Sequence, residues 1–448
     1  MGNPVQHLYA LDLGATSARL AHGVWDGRVL KIRMVRRLAH APIVSSEGWY
    51  WDWSALSQFC DQAREDAEQH DSRRTSLAVD GWGVDVGFLD SKGQLLAPPR
   101  CYRDPRHAEA MTLLAPFAKE LYDLTGVQCL ALNTIFQLQA RKQEQATWLD
   151  RVERWRMLPE LVVEQWGGAS GHEWTNASTT GLVGWDGQWC DRAFEIIGWP
   201  VPEEEIVRPG ELIGRTPSGV GWVRVGSHDT ASAVEGLGPF DADEAYLNLG
   251  TWALVGRILS QPGPLESARV NNWTHERAVD GRIRFLKNVP GMYLFQRMHE
   301  ELGLRSTLGE WLSSASSLVT FDSGLNESEL FSPPSMLTVV GAGHGPLSSP
   351  AEWASRALGV WASLLRRAVQ EMVEMTGPVR RLRVGGGGAQ IPVVREVIQE
   401  AVGCEVVWGS AEATILGNFK VQLQAWDQAM PEEVCWIESS SETARSAD

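Results

Sequence analysis

The first polar–apolar signal along the chain is the run Leu8-Tyr9-Ala10-Leu11-Asp12-Leu13, nearly continuous in apolar residues, as expected for a buried strand. Residues 14–17 read as a turn, 18–24 as a second strand, Asp26-Gly27 as a tight hairpin turn and 28–36 as a third strand. Ser54 is then the expected cap of a helix whose apolar residues Leu56, Phe59, Ala63 and Ala67 recur at helical spacing. Residues 76–79 predict a short strand running into Gly81-Trp82-Gly83-Val84-Asp85, and a further strand ends at the Ser91-Lys92-Gly93 turn.

A similar pattern returns in the second half. Residues 246–249 predict a strand, Gly250-Thr251 a turn and 253–258 the next strand. Leu11-Asp12-Leu13-Gly14-Ala15-Thr16 and Leu247-Asn248-Leu249-Gly250-Thr251 read as one strand–turn–strand design used twice, about a domain length apart. The expected division is therefore a first domain over 1–235 and a second over 236–437. The Ser-, Glu- and Thr-rich residues 438–448 read as a disordered tail.

Length agrees with two domains, because 448 residues exceed what one core supports. A net charge of −16 repels phosphate backbones and anionic lipid, so neither nucleic acid nor a membrane surface is an expected partner. No stretch reaches the ~18 apolar residues of a membrane span. The start of the chain does not read as a secretory signal, and the six cysteines include no C-x-x-C pair. A reducing, cytoplasmic setting is expected, without a zinc or iron–sulfur centre. The 21 tryptophans suit core and interface packing, and a few could form a sugar-stacking surface.

Three segments can carry chemistry. In Leu11-Asp12-Leu13-Gly14-Ala15-Thr16-Ser17, a strand ending in Asp precedes a small-residue turn whose N–H and hydroxyl groups could face an anion. Asp12 could hold Mg²⁺ through water, although Asp and Gly are also ordinary turn residues. Gly385 to Gly388 stand between a strand at 382–384 and a helix-like stretch at 393–401. Such a loop admits close approach by a nucleotide, or is simply a flexible turn. It lacks the lysine of a P-loop, and its position does not fit a dinucleotide-binding first βαβ unit. In Gly226-Ser227-His228-Asp229-Thr230-Ala231-Ser232-Ala233, a hydroxyl or carboxylate could cap the following helix, or Asp229 could deprotonate a substrate hydroxyl.

Together these segments resemble the sugar-kinase branch of the actin–hexokinase–chaperone ATPase superfamily. Residues 227–233, followed by Leu249-Gly250-Thr251-Trp252, are similar to the FGGY carbohydrate kinases, with the rhamnulokinases nearest in pattern. Supporting matches in the right order are Trp51-Asp52, Trp82-Gly83-Val84-Asp85, Tyr102-Arg103-Asp104, Asn133-Thr134 and Asn176-Ala177-Ser178-Thr179-Thr180. Further matches are Leu286-Lys287-Asn288-Val289, Gln296, Gly386-Gly387-Gly388 and Glu412-Ala413-Thr414.

The resemblance implies an α/β fold: two ribonuclease-H-like domains of the actin/hexokinase ATPase type with an interdomain cleft. It implies ATP and Mg²⁺, and a ketose as phosphoryl acceptor, with L-rhamnulose foremost. Asp229 would accept the proton. Trp82, Gly83, Arg103, His228 and Thr230 would lie at the sugar, with Tyr102 and Asp104 nearby. Asp12 would help to hold Mg²⁺, and Ala15, Thr16, Ser17, Ala18 and Arg19 would cradle the phosphates. Thr251, Asn288, Gln296, Gly386 and Gly387 would contact the nucleotide. Three departures concern the sugar more than the chemistry. Thr274-His275-Glu276-Arg277 stands where rhamnulokinases carry an Asn-Glu-Gly-Gly stretch, Pro159-Glu160-Leu161 replaces Pro-Asp-Tyr, and Ala18 replaces the clip's second glycine. L-fuculose, xylulose and glycerol remain as other acceptors. A non-catalytic nucleotide-binding protein would not need Asp229 in its His-Asp-Thr setting.

Overall fold

The computed structural model describes residues 5–437 except 146, 170, 316–323, 326, 332, 344–346 and 432, so the expected tail at 438–448 lies outside the described residues. In chain order the strands of the two large sheets begin with β1 (Gln6–Leu13), β2 (Ser17–Trp25), β3 (Val29–Ala39), β4 (Thr75–Gly81), β5 (Glu211–Arg215) and β6 (Gly221–Arg224). There follow β7 (Glu244–Leu249), β8 (Trp252–Leu259), β9 (Thr274–Arg277), β10 (Ile283–Pro290), β11 (Arg381–Gly385), β12 (Glu405–Trp408) and β13 (Glu433–Trp436). One sheet has the order β5-β6-β4-β1-β2-β3-β13 and the other β9-β10-β8-β7-β11-β12. The helices used below are α1 (Trp53–Glu68), α2 (Asp229–Leu237), α3 (Met292–Glu301), α4 (Pro350–Thr376) and α5 (Ala413–Gln424).

The chain forms two compact units. The first contains residues 1–236, 276–281 and 414–448, and the second 237–275 and 282–413. A single cut near 236 therefore misplaces two segments. Residues 414–437 return to the first unit because Ile415, Phe419 and Leu423 of α5 pack on Leu8, Ala10, Ala21 and Leu30 of its sheet, and β13 pairs with β3. Apolar burial, at about 25 cal/mol per Å², draws this helix back across the sequence.

The repeated pattern corresponds to a repeated arrangement. In the first unit β1 pairs antiparallel with β2 and parallel with β4. In the second, β7 pairs antiparallel with β8 and parallel with β11. Both β1 and β7 are almost wholly buried, which explains their near-continuous apolar reading. The predicted cap of α1 is corrected: Asp52, two residues before Ser54, accepts a hydrogen bond from Ala55 N at 3.0 Å. Asp caps as well as Ser, so the helix starts two residues earlier, with Trp53 packed partly buried on the core. Among the described residues, no helix is long and apolar enough to cross a membrane.

Candidate active site

Strand pairing in the first unit gathers three charged side chains. Asp12 at the end of β1 lies opposite Arg19 on antiparallel β2 and opposite Asp80 on parallel β4. Paired positions share a face of the sheet, so the order Arg19, Asp12, Asp80 is imposed by register. Arg19 forms an ion pair with Asp12. Asp80 accepts a hydrogen bond from Asn418 of α5 at 2.5 Å, and Gln422, one turn further on, bonds Asn418, Ser76 and the Tyr9 carbonyl. Burial, and then the charge of Asp12, hold the Asp80 carboxyl well above the ordinary range.

Asp229 joins this group because Gly81 bridges His228 and donates its N–H to the Ser227 carbonyl at 2.9 Å. Ser232 N donates to the His228 carbonyl at 3.0 Å, so the first helical bond starts at His228 and Asp229 lies inside the first turn. A pure cap is thus not what this carboxylate supplies. Burial, followed by the charge of Asp12, pushes the Asp229 carboxyl up to about 6. About 26% of its side chain remains accessible, as a group that meets a substrate needs. Thr230 Oγ1 donates to it at 3.1 Å, and His228 lies between Asp229 and Glu276, 3.6 Å from each.

Two buried glutamates fix the approach to Asp229. Glu173 Oε2 accepts bonds from the N–H and the hydroxyl of Ser227 at 2.9 and 3.0 Å, and from the Thr175 hydroxyl. His228 N in turn donates to Thr175 Oγ1, and Glu160 takes a second bond from Ser227. Burial and the neighbouring Glu173 push Glu160 up to about 7. Glu160, a departure from the family pattern, therefore supports the loop that carries Asp229.

The Gly81–Asp85 segment is locked from behind. Asp85 accepts from the indoles of Trp51 and Trp82 at 2.6 and 2.9 Å, from Tyr102 N at 3.2 Å and from Gln137 at 2.8 Å. Burial raises its carboxyl to about 7 against these four bonds. Between Gly83 and Asp85, Val84 holds φ at 69°, a conformation costly for a β-branched residue. Thr134 and Gln137 keep it there through the Val84 carbonyl. The indole of Trp82, only 4% exposed, serves this interior against Trp51 rather than forming an open stacking surface. A Cβ on Gly83 would come 3.1 Å from the Thr179 hydroxyl and 3.4 Å from Asn176 Oδ1. Asn176 is fully buried there, and neither its Oδ1 nor its Nδ2 has a hydrogen-bond partner. Arg103 donates two bonds to the Tyr102 hydroxyl, and its charge reaches His40, whose ring bonds the Gly14 carbonyl.

The first turn closes with Ser17 N donating to Gly14 O, leaving Ala15 half-buried and Thr16 exposed. Ala18 is buried, so only its backbone could meet a phosphate. In the second unit the corresponding turn is met by α3, since Met292 N and Tyr293 N donate to the carbonyls of Gly250 and Thr251 at 3.0 and 3.1 Å. The glycine loop touches the same place. Gly386 has φ 94°, and a Cβ on it would lie 2.5 Å from Leu249 O, whereas Gly387 has nothing within 4 Å. Gly386 thus packs on the end of β7, and the next residue, Gly387, faces open space. Asn288 lies on β10 opposite Leu254, and Gln296 is exposed on α3.

Asp80, Asn176, Glu173 and Asn418 were not singled out by sequence reasoning as site residues. An aspartate ending the otherwise apolar stretch 77–79, just before Gly81-Trp82-Gly83, is a usable signal for Asp80. Nothing local marks Asn418, which meets Asp80 across the whole chain. For a cation, Asp12 Oδ1 and Asp80 Oδ1 are buried without hydrogen-bond partners. Two such carboxylates fit Mg²⁺, which is commonly bound through one or two carboxylates while it keeps several waters.

Comparisons with known proteins agree with this architecture. The chain matches the N-terminal domain of the FGGY family of carbohydrate kinases over residues 8–216 and the C-terminal domain over 245–426. It is 33% identical over 442 residues to a rhamnulokinase of Pectobacterium atrosepticum, covering 94% of this chain and 88% of the relative. It is 34% identical over 442 residues to one of Yersinia pestis, covering 93% and 89%. Among solved structures, a gluconate kinase of Lactobacillus acidophilus shares the fold at TM-score 0.79 and 16% identity, over 95% of this chain and 90% of that one. A xylulose kinase of the same organism does so at 0.77 and 17%, over 94% and 90%. The chain therefore belongs to the FGGY family of carbohydrate kinases and is a sugar-phosphorylating enzyme.

Proposed function

We propose that this kinase transfers the γ-phosphoryl group of ATP to the primary hydroxyl of L-rhamnulose, giving L-rhamnulose 1-phosphate and ADP. The observation that carries the reading is Asp229: a carboxylate in a helix first turn, accessible over about a quarter of its side chain, with its pKa raised to about 6. Such a group is mostly ionised at neutral pH yet more basic than a free aspartate, which suits it to take a proton. The sugar oxygen bonds to phosphorus as the bond from phosphorus to the β-phosphate oxygen breaks, and the hydroxyl proton passes to Asp229. His228 and Thr230 orient that carboxylate, while Gly83, Asn176 and Arg103 receive the sugar. Trp82 contributes by holding the Gly83 backbone in place.

Residues 15–19 receive phosphate oxygens, mainly through backbone N–H groups and Arg19. Thr251, Gly386 and Gly387 receive the nucleotide, with Asn288 and Gln296 at its edges. Mg²⁺, when bound near Asp12 with Asp80 in support, supplies positive charge to the phosphates. Positioning carries most of the work, because phosphoryl transfer passes through a loose transition state. The relatives named rhamnulokinase support the choice of sugar. The six free cysteines support a cytoplasmic setting.

A panel of sugars and polyols with ATP and Mg²⁺, read by ADP release, tests the acceptor. L-rhamnulose is expected to give the highest kcat/KM. A higher value for L-fuculose, xylulose or glycerol overturns the sugar and leaves the kinase standing.

A further inference from the structure

The far end of β1 carries a second group of chemically competent side chains. His7 on β1, His22 on β2 and His70, two residues beyond α1, each place one ring nitrogen within 4.8 Å of the others. Among the described residues, no other set of three His, Cys, Asp or Glu side chains gathers its donor atoms in this way. Five residues of strand separate His7 from Asp12, or about 17 Å, so this cluster is not part of the phosphoryl-transfer site.

We propose that His7, His22 and His70 form a binding site for a single zinc-type transition-metal ion, three imidazole nitrogens with water completing the tetrahedron. His7 Nδ1 and His22 Nε2 are 3.0 Å apart, close to the ~3.3 Å edge of a tetrahedron with Zn–N distances of ~2.0–2.1 Å. His70 Nε2 is buried and has no hydrogen-bond partner, an orphan that a metal would satisfy. His22 is only 3% exposed, so its position is fixed by the sheet. An imidazole of ordinary pKa, ~6.5, is mostly neutral at pH 7 and so able to donate a lone pair to the ion.

The surroundings permit the ion. Arg33 Nε donates to His22 Nδ1 at 3.3 Å, so without metal His22 carries its proton on Nε2 toward His7. Metal binding moves that proton to Nδ1, and Arg33, which is exposed, turns out into solvent. The other groups in electrostatic reach are Asp71 beside His7, and Asp66 with Arg33 beside Tyr9, whose ring stacks on His22 at 4.4 Å. An ion here would tie the end of α1 to the first two strands, a structural role rather than a catalytic one.

The test uses untagged full-length protein, stripped with a chelator and titrated with ZnCl₂ in equilibrium dialysis. The wild type is expected to bind one equivalent at micromolar zinc or below and to melt at a higher temperature with it. His70→Ala removes a half-buried side chain outside regular structure and should fold. It is expected to weaken zinc binding by more than ~100-fold, beyond the usual loss from an outer-shell change, and to abolish the thermal shift. His7→Gln serves as the second variant and should behave in the same way. Uptake below one equivalent by the wild type, or unchanged affinity in both folded variants, overturns the site. Neither residue contacts the kinase site, so the result is independent of the proposed reaction.

Discussion

Asp229→Asn is expected to lower sugar-dependent turnover by about 10²–10⁴-fold, the usual worth of a positioned general base. The change is conservative in shape. Asn can keep the bond that Thr230 Oγ1 gives to this side chain at 3.1 Å, and the first helical bond runs from Ser232 to the His228 carbonyl without it. Stability should move the other way. A carboxyl whose folded pKa is raised contributes stability that is full below the unfolded value and is lost as pH rises through about 6. At pH 8 the wild type carries the strain of an ionised Asp229 beside Asp12 and Asp80, and the variant does not. The melting temperature of Asp229→Asn should therefore equal or exceed that of the wild type at pH 8. The same titration governs the wild-type rate, which should fall as pH drops through about 6. A variant that is stable and still turns over at a near wild-type rate removes Asp229 from the chemistry.

Gly387→Val is expected to weaken ATP binding by about 10-fold or more while L-rhamnulose binding changes little. The glycines of this loop are not equivalent. Gly386 sits at φ 94° with Leu249 O 2.5 Å from where its Cβ would be, and a Cβ on Gly388 would meet Leu249 and Met292 at 2.7 Å. Substituting either disturbs the loop itself. Gly387 is outside the left-handed region and faces open space, so a valine fits the free protein and excludes only what would occupy that space. Forcing extra methyl groups into a filled site costs ~1–3 kcal/mol, hence the tenfold scale. Calorimetric titration with a non-hydrolysable ATP analogue and with the sugar separates the outcomes. Unchanged nucleotide affinity would place the nucleotide elsewhere, and equal loss of both ligands would indicate a damaged fold.

Features set by local sequence were legible. The hairpins around 14–17 and 250–251, the buried strands β1 and β7, and the helix after the glycine run follow from apolar spacing and turn residues within a dozen positions. Turn and helix-cap chemistry alone would also explain Asp12 and Asp229, and it is the resemblance across the three segments that proposes their roles. What escaped was set by distance in sequence. Asn418 and Gln422 look like polar positions one turn apart on an apolar helix, and only the return of α5 to the first sheet brings them to Asp80 and Ser76. Besides Trp82 three residues away, Asp85 needs partners from three other segments, so its role as the knot behind Trp82 and Gly83 has no local signature. The cap of α1 falls two residues before the expected Ser54 because Asp52 and Ser54 are equally good caps, and it is Asp52 that accepts the bond from Ala55 N. The Trp count suggested sugar stacking, but Trp51 and Trp82 are taken up by the core and by Asp85.

We propose that this protein phosphorylates the primary hydroxyl of a ketose with Asp229 as the base. Incubating L-rhamnulose with ATP, Mg²⁺ and the enzyme, then locating phosphorus by ³¹P–¹H correlation NMR, tests it most directly. One new phosphomonoester is expected, coupled to the C1 methylene protons and formed in step with ADP by the wild type, with hardly any from Asp229→Asn. Phosphate on another carbon, or ADP appearing at the same rate with no phosphorylated sugar, would contradict it.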